Sequence, residues 1–155
     1  MELTAKQRAA LSMICDTFVP GDGATLPSAS ELGAVETVIA LLGRNPREAE
    51  LKQPAKLLDL WDSPLLGLLT GNGPRRFSGL SQAERERALL RLGDSRSGAI
   101  RAVFQALAQA SLLAYNITTG PTGSNPLWHE IGYPGPPGLL ESAPQPALTV
   151  QRPTE

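Results

Sequence analysis

His129 is the single histidine of the 155 residues, and with Glu130 beside it this is the one place where acid–base chemistry or metal ligation could start. A metal needs more ligands than one histidine in a cysteine-poor chain supplies, and neighbours in an extended segment point to opposite sides. Polar packing beside Trp128 accounts for His129 more simply. Cys15 is the only cysteine, so it forms no internal disulfide and sets no ligand spacing. It falls next to Ile14 on an apolar stripe, without the histidine and electropositive pocket that a thiolate nucleophile requires, and reads as a small core residue. Ser12, Ser81 and Ser111 lack the Gly-x-Ser-x-Gly setting of an exposed nucleophile. The expectation is therefore no catalytic, cofactor-binding or metal residue in this chain.

Binding chemistry has better candidates. Between Arg75 and Arg101 seven arginines face Glu84, Glu86 and Asp94, a local surplus of four positive charges. Much of this is a solvated helical face of alternating charge. Arg75-Arg76-Phe77 precedes the helix, where guanidinium forks can meet carboxylates, and is the part best suited to touch a partner. The second candidate is the stretch from Asn125 to Gly138, in which prolines and glycines keep two large aromatics out of regular structure. Ordering such a strap costs about 1–2 kcal/mol per residue, and burying Trp128, Ile131 and Tyr133 returns roughly 2–3 kcal/mol each. The two nearly cancel, so the strap should be ordered where a substantial surface receives it. That surface is the chain's own helices, another chain, or both.

The elements that must carry these residues are helical. Thr4 with Gln7 forms a capping box ahead of Ala10, Leu11, Ile14 and Phe18, and Val19-Pro20-Gly21 ends that helix. Pro20 to Pro27 reads as a connecting turn. Ser28 with Glu31 opens a helix with Leu32, Val35, Val38, Ile39 and Leu42 on one face, stopped by Gly43. Asn45-Pro46 restarts the pattern, Pro54 interrupts it, and Leu57, Leu58, Leu60 and Trp61 are its expected buried residues. Asp62-Ser63-Pro64 begins a short helix, Leu65 to Leu69, apolar nearly all round and so expected to be buried in this chain or a partner. Ser81 with Glu84 caps a helix through Leu92. The longest helix is expected from near Ser97 to Ile117, the natural centre of a bundle, with Ile100, Val103, Phe104, Leu107, Ala108, Ser111 and Tyr115 in register.

The predicted architecture is all-α: a bundle of about six helices over residues 1–118, then an extended Pro/Gly-rich C-terminal strap and tail over residues 119–155. Fully extended, that tail spans roughly 110 Å at about 3.1 Å per residue. A chain of this length buries roughly 70% of its unfolded surface and needs no staples. Hydrophobic residues make up 41% and charged residues 19%, while 14 Pro and 15 Gly exceed what a purely helical protein carries. The net charge of -1 argues against nucleic acid or an anionic membrane surface. No apolar run reaches the roughly 18 residues of a membrane span, and no signal sequence opens the chain. As written it is expected in the cytoplasm, or in the periplasm if a signal or fusion partner has been removed.

Several segments together resemble a known family. They are Leu3-Thr-Ala-Lys-Gln-Arg8, Ile14-Cys-Asp-Thr-Phe-Val-Pro20, Leu60-Trp-Asp-Ser-Pro64, Arg76-Phe-Ser78 and Trp128-His-Glu-Ile-Gly-Tyr-Pro-Gly-Pro136, covering residues 3 to about 137. The set is similar to the gluconate 2-dehydrogenase small-subunit family (subunit 3) and to the helical N-terminal region of long-chain alcohol oxidases. The resemblance implies a non-catalytic accessory subunit or domain of an alcohol- or sugar-acid-oxidising complex. It places FAD and the reacting groups in a partner, a glucose-methanol-choline (GMC) type oxidoreductase subunit. The chain stops where a nucleotide-binding strand would follow in the fused form, and it lacks a twin-arginine signal. The flavoprotein is then a separate polypeptide, or this chain is an excised domain.

On this basis the expected partner interface is Trp128, Ile131, Tyr133, Pro134 and Pro136 of the strap, with Arg75, Arg76 and Phe77. A different expectation is a binding module for a long-chain apolar ligand, shaping substrate access, with Leu65 to Leu69 and the central helix lining a groove.

Overall fold

The computed structural model describes residues 3–43, 58–120 and 123–136, all helix and connecting loop, with no strand among them. Helix α1, Ala5–Phe18, starts where Thr4 Oγ1 accepts the Gln7 N–H at 3.2 Å and Gln7 Oε1 accepts the Thr4 N–H at 3.0 Å. The second capping box opens α2, Ala29–Leu32, but the single helix expected from Ser28 is broken. Gly33, at φ 85°, takes the left-handed conformation and returns its N–H to the carbonyls of Ala29 and Ser30, and α3, Ala34–Gly43, follows as a separate helix. The helix expected from Asn45 to Leu57 lies outside the described residues. Residues 58–61 are helical, and α4, Pro64–Leu69, follows with proline in its first turn.

A single 3-10 turn, Phe77–Gly79, precedes α5, Gln82–Gly93, whose capping box from Ser81 and Glu84 is formed. The longest helix among the described residues is α6, Gly98–Ile117, and it packs against α1, α2, α3 and α5. It is the centre of the bundle, as its broad apolar stripe predicts. A short α7, Pro126–Glu130, stands at the start of the strap, and residues 131–136 then run without regular structure.

The core is built from Leu11, Ile14 and Cys15 of α1, Val35 and Val38 of α3, Ala88 and Leu89 of α5, and Ala114 and Tyr115 of α6. Two of the segments that carry the family resemblance lock onto one another. Trp61 meets Phe77 edge-on at 6.1 Å between ring centroids, and Asp62 Oδ1 accepts the Ser78 N–H at 2.9 Å.

Burial departs from expectation in two places. Of α6, Ser111, Ala114 and Tyr115 are buried, while Ile100 in its first turn is exposed. In α4 the residue that is buried is Gly67, while Leu65, Leu68 and Leu69 are exposed, and Leu60 just before them is exposed too. A Cβ at Gly67 would lie 2.2 Å from the Arg75 carbonyl oxygen, so the backbone of the following loop sits directly on that helix face. Apolar character all round tells that a helix is sticky; it does not tell which side finds a neighbour.

Candidate docking face and apolar groove

The strap is held to the end of α6 by one buried amide. Asn125 is fully buried, and its Nδ2 donates to the main-chain oxygens of Tyr115 at 2.5 Å and Thr118 at 2.9 Å. Its Oδ1 accepts the Leu127 N–H at 2.9 Å, so one side chain satisfies the carbonyl end of α6 and the N–H end of α7 together. Trp128 lies one turn further on. It is 5% exposed, its Nε1 donates to the Asn116 carbonyl at 2.9 Å, and its ring takes Tyr133 edge-on at 5.7 Å. The Tyr133 N–H returns to the Trp128 carbonyl at 2.7 Å and closes the loop.

This geometry divides the residues expected at an interface. Trp128 and Phe77 are buried in the chain's own fold. Ile131 is 63% exposed and Tyr133 44% exposed, and Pro134 and Pro136 are exposed with them. Beside them Ile117 is exposed on α6, and a shallow depression of about 250 Å³ runs between Ile117, Ile131, Tyr133 and Pro136 over the buried Trp128. Leu113 continues the apolar surface one turn back along α6. Arg75 is exposed but tied to its own fold: its Nη1 meets Glu84 Oε1 at 2.8 Å and its Nη2 donates to the Gly79 carbonyl at 2.8 Å. Arg76 is exposed. Other arginines of the cluster also bond within the fold, Arg91 to the Thr70 carbonyl and Arg101 to the Ser95 carbonyl, while Arg85 stands 5.8 Å over the Phe77 ring.

A second apolar site lies toward the other end of α6. Leu60, Trp61, Leu65, Leu69, Ile100 and Phe104 line a groove of about 310 Å³ between α4 and the first turns of α6. It is where the pairing of Leu65 to Leu69 with the central helix was expected to make one. None of its lining residues is charged; Ser63 contributes a hydroxyl, which donates to the Leu60 carbonyl at 2.6 Å. The indole N–H of Trp61 is buried with no hydrogen-bond partner among the described residues.

The groups considered for catalysis are placed differently. Cys15 is fully buried, Ser111 Oγ donates to its Sγ at 3.4 Å, and burial pushes the thiol from 9.0 up to about 11. His129 is exposed, its Nε2 3.3 Å from the Ser124 hydroxyl. Among the described residues no three His, Cys, Asp or Glu side chains gather as a metal site would require. No helix among them is long and apolar enough to cross a membrane.

Compared with characterised proteins, the chain is 29% identical over 148 residues to a long-chain-alcohol oxidase of Arabidopsis thaliana. The match covers 81% of this chain and 20% of the oxidase, so the chain spans about a fifth of the length of that relative. No protein-family model matches it, and no solved structure does. The chain is thus weakly similar to part of an alcohol oxidase.

Sequence reasoning missed Asn125. The signal was present, since Asn125-Pro126 repeats the cap-then-proline pattern read at Asn45-Pro46 and Ser63-Pro64.

Proposed function

We propose that this chain is a non-catalytic accessory domain or subunit of an FAD-dependent, GMC-type alcohol-oxidising enzyme, docking on the flavin-bearing body and stabilising it. The observation that carries this reading is the match to a fifth of an alcohol oxidase. The resemblance of the strap and α1 segments to gluconate 2-dehydrogenase small subunits supports the same role. The bundle, residues 1–118, acts as the scaffold, and the strap, from residue 119, presents Ile131, Tyr133, Pro134 and Pro136 beside Ile117. Trp128 supports that surface from beneath. FAD belongs to the partner in this proposal, as the resemblance implies.

Co-expression of the tagged chain with the products of its neighbouring open reading frames tests the proposal. A retained complex with flavin absorption, lost in an Ile131→Asp/Tyr133→Ala double variant whose helix content is unchanged, is the expected result. A colourless monomer, or a complex indifferent to both substitutions, would overturn it.

A further inference from the structure

We infer that the Asn72-Gly73 turn after α4 is a self-modifying site, at which Asn72 exchanges its side-chain amide for a carboxylate by reaction with water, without enzyme or cofactor. The inference is independent of the docking reading. The chain holds asparagine at 45, 72, 116 and 125. Asn45 and Asn125 precede prolines, whose nitrogens carry no hydrogen and cannot attack the neighbouring amide. Asn116 lies within α6 ahead of Ile117, where the helix fixes the backbone and the branched side chain crowds the following nitrogen. Asn72 alone is followed by glycine, with no Cβ beside the attacking atom.

The turn leaves those atoms free to react. The Asn72 N–H donates to the Gly67 carbonyl at 2.8 Å and the Gly71 N–H to the Leu68 carbonyl at 3.1 Å, which closes the end of α4. Gly73, at φ 69°, then turns the chain away, and its N–H has no hydrogen-bond partner. Asn72 is half-buried, and its Nδ2 donates to Thr70 Oγ1 at 3.0 Å. Once base removes the Gly73 N–H proton, the nitrogen attacks Asn72 Cγ. The bond from Cγ to Nδ2 breaks, ammonia leaves after taking up a proton, and a succinimide remains. Water opens that ring at either carbonyl, giving aspartate or isoaspartate. The product bears on the fold, because the Gly73 and Arg75 carbonyls press on Gly67 too closely for any Cβ. Isoaspartate adds a methylene to the main chain between residues 72 and 73 and displaces that contact, and either product removes the amide donor from the buried Thr70.

Incubation of the full chain at 37 °C, followed by peptide mapping by mass and by enzymatic methyl-labelling of isoaspartate, tests this. Conversion is expected at Asn72 ahead of Asn116, faster at pH 8 than at pH 6, and absent at that position in Asn72→Gln, whose longer side chain closes the imide ring poorly. The native chain should react within about tenfold of a synthetic peptide spanning residues 68–76, since no unfolding is needed to free the Gly73 nitrogen. The aged parent should unfold at a lower urea midpoint than the fresh parent, while Asn72→Gln aged beside it keeps its own midpoint. Conversion at Asn116 first, a rate indifferent to pH, a native rate more than about tenfold below that of the peptide, or equal midpoints for aged and fresh parent would each overturn the inference.

Discussion

Asn125 and Tyr115 are joined by a buried hydrogen bond of 2.5 Å from the Asn125 amide to the Tyr115 carbonyl, ten residues back in the chain. The same amide reaches Thr118 and caps α7 through its oxygen. Replacing it by alanine strands two helix-end carbonyls and one N–H at once. Asn125→Ala is expected to cost about 3 kcal/mol, which urea unfolding would read as a lower midpoint with little change in slope. A loss under about 1 kcal/mol would mean that water replaces the amide and that the strap is held by Trp128 alone.

Trp128 and Tyr133 touch edge-on, yet one holds the strap down and the other faces outward. Trp128→Ala should therefore destabilise the isolated chain by about 3–5 kcal/mol, through the cavity and the orphaned Asn116 carbonyl. Ile131→Ala, at an exposed position, should stay within about 0.5 kcal/mol of the parent. Thermal unfolding of both variants without a partner separates the roles, and equal losses would contradict the division.

The parts of this fold legible in the sequence are those decided locally. Thr4 with Gln7, Ser28 with Glu31 and Ser81 with Glu84 all form the boxes their spacing predicts, because a cap needs only its own first turn. Gly33 was less visible, since a glycine inside an apolar period fits a continuous helix until the left-handed cap is seen. The exposed leucines of α4 and the burial of Trp128 depend on which neighbour arrives, and that is a property of tertiary packing. Trp128 and Phe77, both expected at an interface from residue type, are buried within the described fold, while Ile131 and Ile117 are exposed.

Asp22 and Glu84 give the chain an acid-sensitive pair of turns. Main-chain N–H groups of Ala24 and Leu26, with the Thr25 hydroxyl, hold Asp22 from 3.8 down to about 2. The Ser81 N–H, followed by Arg75, holds Glu84 from 4.5 down to about 2. Both carboxyls ionise more readily folded than unfolded, so their contribution is complete above about pH 4.5 and is lost as the pH falls toward about 2. Urea midpoints measured between pH 6 and pH 2 should fall through that window, and Asp22→Asn/Glu84→Gln should flatten the fall. An unchanged acid limb in the double variant would assign acid sensitivity to other groups.

Cys15 should be a silent thiol in the native protein. It has no exposed surface, and its value of about 11 against an ordinary 9.0 lowers the thiolate fraction at pH 8 about a hundredfold. Reaction with a disulfide reagent then requires opening of the contact between α1 and α6, where Ser111 meets the sulfur. Labelling of the native chain at pH 8 is expected to be at least a hundredfold slower than labelling in denaturant, and to accelerate in Asn125→Ala in step with its lost stability. Fast native labelling, within tenfold of the unfolded rate, would show that α1 parts from α6 without unfolding and that the core does not close over Cys15.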